Sequence, residues 1–248
     1  MKMERPKAFA QTVAPLRNVM LLNALIRRVN DRDPDLPGMA CFYGPSGYGK
    51  TVAATWNANE TSAYWVEMRE SWTRKSLFTA ILRNMGLEPR RTIPEMSEQI
   101  SRELAITGRP LLIDEADYLM KNKMIELVRE LYEDSKSAII LIGEERLPQN
   151  LTRLERVHNR MLEWVAAQPA DLREVALLAQ LKCPDLTFEE GVFEVILEAA
   201  GGRARRVVTD LDQARVDAHT RGVDHFTLAD AARINFYTGD APAPRGTN

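Results

Sequence analysis

The 248-residue chain is 45 % hydrophobic and 27 % charged, with a formal net charge of -2, the balance of a globular protein with one sizeable core and room for a small satellite domain. Such a balance excludes a chain that is basic throughout, so a nucleic-acid partner has to be met by a local patch. The two cysteines, Cys41 and Cys183, form no C-x-x-C pair, which argues against a zinc site or a disulfide framework, and no apolar run approaches the ~18 residues of a membrane span; the expectation is a cytoplasmic protein with reduced thiols and no membrane partner.

Residues 1–15 are polar and Pro-punctuated, after which Leu16, Val19, Met20, Leu22, Leu25, Ile26 and Val29 recur at helical spacing and stop before Asp31-Arg32-Asp33-Pro34. Residues 38–43 form a short apolar run closed by Gly44, a buried strand, and residues 51–59 read as the helix that follows. A second strand is expected at 63–68, helices at 75–85 and 94–107, a third strand at 110–114, and a helix at 123–135. Residues 138–142, closed by Gly143, make a fourth strand, and 161–165 a weaker fifth. Strands alternating with helices imply α/β architecture with a five-stranded parallel sheet, because parallel neighbours need a crossover connection. Beyond Pro169 the strand signal disappears, and 172–181, 189–200, 204–220 and 228–237 all carry helical periodicity. The expected organisation is an α/β core over 1–168 that includes the opening helix, a helical lid over 169–238, and a small, polar, Pro-rich tail over 239–248 expected to be disordered.

Gly44-Pro45-Ser46-Gly47-Tyr48-Gly49-Lys50-Thr51 fits G-x-x-x-x-G-K-[ST] at every fixed position and lies between an apolar strand and a helix start, the context that gives the motif meaning. Three glycines let successive backbone N–H groups face a phosphate at the positive end of the helix dipole. Lys50 adds a point charge near the β- and γ-phosphates of ATP, and the Thr51 hydroxyl can ligate Mg2+. Leu111-Leu112-Ile113-Asp114-Glu115 is the matching half, an apolar strand that delivers two carboxylates at its C-terminal end, where open α/β sheets bind ligands. Asp114 is the candidate magnesium ligand, and Glu115 the candidate base that polarises an attacking water. The run Asp114-Glu115-Ala116-Asp117 also spells the DEAD-box helicase signature, but too few residues remain for a second helicase domain.

The P-loop, the Asp-Glu strand, a further strand ending near Gly143 and a C-terminal helical bundle together resemble the AAA+ P-loop NTPases over nearly the whole chain. Within them, the opening segment from Val13 to Val29, the P-loop, Leu-Leu-Ile-Asp-Glu-Ala-Asp, Ile-Leu-Ile-Gly-Glu-Glu-Arg-Leu and the Arg-rich stretch to Arg160 look most like the phage Mu-type transposition B proteins, in a short form without their N-terminal helix-turn-helix domain. That resemblance implies an ATPase, slow and stimulated by assembly, that forms homo-oligomers or helical filaments on duplex DNA without sequence preference and recruits or activates a transposase. It also implies an arginine finger acting in trans, for which Arg153, Arg156 and Arg160 are candidates and Arg160 the best fit, and a second sensor among Arg203, Arg205 and Arg206, with Arg205 preferred. Glu144 and Glu145 stand where the family's first sensor is a small polar residue, which implies unusual water positioning.

Basic residues that could touch DNA phosphates are Arg69, Arg74 and Lys75 after the second strand, Arg90 and Arg91 in a loop, and Lys121 with Lys123 after the Asp-Glu strand. The alternatives are a helicase-loader-type ATPase and a secretion-related or regulatory ATPase, both acting on a protein partner.

Overall fold

A computed structural model describes residues 16–236; the expected tail at 239–248, the polar start and the end of the last expected helix at Tyr237 lie outside them. By their contacts these residues form two compact units, one of Asn18–Ser46 with Lys50–Gln168 and one of residues 16–17, Gly47–Gly49 and residues 169–236.

The first unit contains α1 (Arg17–Asn30, from its second residue on), β1 (Met39–Tyr43), α2 (Lys50–Glu60), β2 (Tyr64–Glu67), α3 (Arg74–Asn84), α4 (Ile93–Thr107), β3 (Leu111–Asp114), α5 (Asp117–Lys121), α6 (Ile125–Ser135), β4 (Ile139–Gly143), α7 (Leu147–Thr152), α8 (Glu155–His158) and β5 (Met161–Ala166). The five strands make one all-parallel sheet in the order β2-β3-β4-β1-β5. Both sheet faces are covered, as the apolar runs required. Met39, Cys41, Leu111, Ile113, Ile139 and Leu141 join the core beneath α3, α4 and α6. The alternate residues Ala40, Phe42, Leu112, Ile140 and Ile142 are equally buried and, by the pleat, point to the opposite face. There α2 packs against β2, β3 and β4, and Asn57, fully buried, donates to the Val19 carbonyl (2.9 Å) to tie α2 to α1. Each large aliphatic side chain buried this way stabilises the fold by about 1.5–3 kcal/mol.

α4 starts where a capping box ends the preceding loop: Thr92 accepts from the Glu95 N–H, Glu95 accepts from the Thr92 N–H, and Gly108 (φ 62) closes the far end. The expected helix at 123–135 begins two residues later, because Lys123 stands at φ 53 and so cannot be part of a helix. Three short helices, α5, α7 and α8, occupy stretches too brief to show periodicity.

The second unit holds α9 (Leu172–Lys182), β6 (Thr187–Phe188), α10 (Val192–Ala200), α11 (Ala204–Arg221), β7 (His225–Phe226) and α12 (Leu228–Arg233) around a core that includes Val175, Ile196, Val207, Leu211 and Phe226. Its departure from the all-helical expectation is the parallel pair β6-β7, in which Thr187 faces His225 and Phe188 faces Phe226. Two-residue strands carry no legible alternation, so the sequence could not announce them.

Candidate functional site

β1 ends at Tyr43, and residues 44–49 turn the chain into α2, which begins at Lys50. Gly47 (φ 89) and Gly49 (φ 80) occupy the left-handed region that only glycine enters without strain, so the turn demands them. The Lys50 ammonium donates to the carbonyls of Gly44 (2.7 Å) and Pro45 (3.0 Å). Burial pushes the ammonium below its ordinary value, and Asp114, Glu115, Glu144 and Asp117 pull it back up. The lysine is therefore held ready beside four carboxylates in a partly dry site.

Asp114, 1 % exposed at the end of β3, has one carboxylate oxygen that accepts from the Glu115 N–H (2.9 Å) and another, Oδ2, that is buried without a hydrogen-bond partner. Burial pushes this carboxyl up, against the lowering influence of the nearby Thr51 hydroxyl. An orphaned carboxylate oxygen costs about 1–3 kcal/mol or more, and a hydroxyl beside it completes the hard oxygen donors that magnesium takes along with water and phosphate. Thr51 and Asp114 therefore fit Mg2+. Glu115 stands at φ 52, a left-handed geometry that costs a non-glycine residue roughly 1–2 kcal/mol. Its carboxyl is pushed up by burial first and then by Asp114. Strain of this kind concentrates where function over-determines the backbone.

Two further acids belong to this cluster: Asp117, to which the sequence assigns no role, and Glu144, which stands at the position where the family resemblance puts the first sensor. Asp117, the first residue of α5, accepts from the Glu144 N–H (2.7 Å), and both act electrostatically on Lys50. The fourth letter of Asp-Glu-Ala-Asp was the signal for Asp117, and the glycine stop at 143 the signal for Glu144. Glu67, paired in register with Asp114, adds another carboxylate at the end of β2.

The three candidate finger arginines differ. Arg160 donates to Glu133 of its own chain, and its carbonyl accepts from the Met39 N–H (2.9 Å). It is thus tied down between α6 and β1. Arg153, at the end of α7, and Arg156, in α8, are exposed and form no ion pair with a described residue. In the helical unit, Arg205 is the second residue of α11 and its backbone N–H donates to the Gly47 carbonyl (3.1 Å). Arg203 comes nearer with its side chain, since a Cβ on Gly47 would meet Arg203 Cβ at 3.4 Å.

The basic candidates lie in three separate stretches of sequence, and the fold gathers them. Asn122, just past α5, donates to the carbonyls of Glu70 (3.1 Å) and Trp72 (3.4 Å), which brings Lys121 and Lys123 to the loop that holds Arg69 and leads to Arg74 and Lys75 at the start of α3. Lys75 in turn donates to the Arg91 carbonyl (3.1 Å), which adds Arg90 and Arg91. All seven are exposed, and the Lys121 ammonium sits 4.9 Å above the Tyr118 ring.

Residues 32–151 match the AAA domain family, and no curated protein matches the chain in sequence. Among solved structures, the chain is similar to the Aeropyrum pernix ORC2 protein in ADPNP-ADP complexes (15 % identity, TM-score 0.69, covering 89 % of this chain and 68 % of that one). It is also similar to the Aeropyrum pernix ORC1 protein in complex with DNA (17 %, 0.65, 92 % and 66 %). The Thermotoga maritima RuvB Holliday junction branch migration motor shares the fold as well (19 %, 0.62, 92 % and 71 %). The chain thus spans about two thirds of the length of the ORC chains it resembles. Its fold is the AAA+ P-loop fold, and the protein is an ATPase. No helix among the described residues is long and apolar enough to cross a membrane.

Proposed function

We propose that this AAA+ ATPase assembles on duplex DNA in its ATP-bound form, without reading base sequence, and recruits or activates a transposase. In this reading residues 44–51 cradle the phosphates of ATP, and Lys50 exchanges its two carbonyl partners for phosphate oxygens. Thr51 and Asp114 hold magnesium, which when bound neutralises charge on the β- and γ-phosphates. Glu115 accepts a proton from the attacking water; its raised carboxyl makes it a better base than an ordinary glutamate. Arg156 or Arg153, exposed and unengaged, supplies the trans finger in place of Arg160, which Glu133 already holds. Arg203 and Arg205 share the second-sensor role, in a helical lid that begins at residue 169.

The observation that carries DNA binding is the convergence of three basic stretches through Asn122 and Lys75. Seven exposed cations on neighbouring loops and helix ends, Arg74 and Lys75 opening α3 and Lys121 closing α5, can contact phosphates, and contact of that kind is electrostatic and sequence-tolerant. Target selection and the transposase come from the family resemblance of the P-loop, the Asp-Glu strand and the Ile-Leu-Ile-Gly-Glu-Glu-Arg-Leu segment. A helicase-loader-type ATPase acting on a protein partner is the second reading.

Anisotropy on random-sequence duplex, with ATP, ADP or no nucleotide and at two salt concentrations, tests the reading. Expected is ATP-dependent binding whose log affinity falls with log salt by about 0.9 per phosphate neutralised, together with large assemblies in sedimentation. Absence of binding with every nucleotide would remove DNA as the target. Stimulation of strand transfer by a transposase, against stimulation of helicase loading, separates the two readings.

A further inference from the structure

β3 and β4 are neighbours in the sheet, and the segments that leave their C-terminal ends are tied to each other. The Ala116 N–H donates to the Ile142 carbonyl (2.8 Å), which carries the ladder one step past β3. Beyond that step a side chain makes the next tie to the turn after β4: the Asp117 carboxylate oxygen Oδ2 accepts from the Glu144 N–H at 2.7 Å. A charged acceptor makes this roughly twice as strong as a neutral hydrogen bond. The space around it admits no alternative, because a Cβ on Gly143 would meet that same Oδ2 at 2.3 Å and Leu147 Cδ2 at 2.6 Å. Gly143 is thus a glycine because the Asp117 carboxylate lies against its backbone.

Glu144 is exposed and close enough to the Lys50 ammonium to act on it electrostatically. It is the first residue of the turn after β4, with no strand partner for its own N–H. One side chain, from the helix that follows the Asp114-Glu115 strand, therefore sets where the Glu144 backbone stands.

We propose that Asp117 is a positioning residue for ATP hydrolysis: by accepting the Glu144 N–H across the Gly143 step, it locks the turn after β4 to the strand that carries Asp114 and Glu115, so that the Glu144 side chain stands where it can help orient the attacking water. The inference rests on the ATPase reading alone and is independent of DNA or a transposase. It gives the unusual acidic pair after β4 a defined place: Glu144 is held by Asp117, whereas Glu145 has no such tie.

The test uses the full chain with saturating magnesium, measuring kcat and KM for ATP and, separately, affinity for a fluorescent ATP analogue. Asp117→Ala is expected to lower kcat about tenfold or more while nucleotide affinity stays within about twofold, the pattern of an interaction made for the chemical step. Asp117→Asn retains a side-chain oxygen that accepts the N–H, and recovers most of the rate. Gly143→Ala, which drives a methyl into the carboxylate, lowers kcat in the same way as Asp117→Ala. In a Glu144→Ala background the Asp117→Ala change adds little, because the two residues act as a unit. The proposal is overturned if Asp117→Ala keeps kcat within about twofold of the parent, if the Asn and Ala variants fall equally, or if the losses from Asp117→Ala and Glu144→Ala multiply. It is equally overturned if Asp117→Ala loses nucleotide affinity in step with rate, since that pattern belongs to a collapsed site rather than a mispositioned turn.

Discussion

The phosphate site and the basic loops are built at the same end of one sheet by opposite means. Around Lys50 the central groups are partly or wholly buried, set by backbone geometry and held by their neighbours: glycines at positive φ, Glu115 in a left-handed turn, Asp114 sealed at the end of β3. The basic loops are exposed throughout and held together by a few hydrogen bonds from Asn122 and Lys75. Chemistry on a phosphate needs fixed dipoles in a dry place, and those come from contiguous residues in a demanding turn. Attraction to a polyanion needs only net charge within a Debye length, about 10 Å at 0.1 M salt, and tolerates loose placement.

The sharpest way to break that comparison is at Lys50. Lys50→Ala removes the one cation among Asp114, Glu115, Asp117 and Glu144, and the expected outcome is loss of ATP binding in titration and a fall in hydrolysis of at least ~100-fold. Glu115→Gln separates binding from chemistry: ATP should still bind, hydrolysis should drop by roughly 10²–10⁴, and the ATP-bound assembly should accumulate in sedimentation. Full ATPase activity in both variants would refute the site.

The loops should respond by degrees. The triple change Arg74→Ala, Lys121→Ala, Lys123→Ala leaves Asn122 and Lys75 in place, so the framework survives. The expected result is a salt slope for DNA binding shallower by about 3, one unit per cation, with ATPase activity without DNA unchanged. Asn122→Ala keeps every charge but cuts the tie to Glu70 and Trp72. It should cost about 1 kcal/mol in thermal or denaturant unfolding and leave the salt slope nearly as it was. If Asn122→Ala flattened the slope as much as the triple change, placement would matter more than charge, and the contrast drawn above would fail.

What the sequence made legible follows the same division. The P-loop and Asp114-Glu115 could be read directly because each is a run of adjacent residues whose spacing is dictated by one ligand, and the central strands β1, β3 and β4 could be read because they are buried on both faces and their runs are apolar up to the site. The gathering of Arg69, Lys75, Arg91 and Lys121 could not be read, since it depends on Asn122, a polar residue whose partners lie 50 and 52 positions away. Arg160 was the preferred finger for its place before β5. Its engagement by Glu133, 27 residues earlier on α6, is a tertiary fact that no local pattern carries. The β6-β7 pair stayed hidden for want of length.

The smallest expected effect concerns acids of opposite sign. In the nucleotide-free chain, burial holds the carboxyls of Asp114 and Glu115 above their ordinary values, so folding disfavours their ionised forms and their presence costs stability once the pH rises past those values. Asp230 is the reverse case. The Thr227 N–H (2.9 Å) donates to it, joined by the Thr227 hydroxyl and Arg221, and together they hold its carboxyl down to about 2. A carboxyl lowered by folding contributes stability that is complete above its unfolded value of about 3.9 and is lost as the pH falls through the folded value. The melting temperature of the wild type should therefore drop more steeply between about pH 4 and pH 2 than that of Asp230→Asn, which has no such proton to gain. Glu115→Gln should melt slightly higher than the wild type at pH 7 without nucleotide, the opposite direction from Asp230→Asn. Parallel pH profiles for wild type and Asp230→Asn would show that the capping box of α12 contributes nothing through its charge, and a lower melting temperature for Glu115→Gln would show that the site's carboxylate is stabilised by its surroundings rather than held there at a cost.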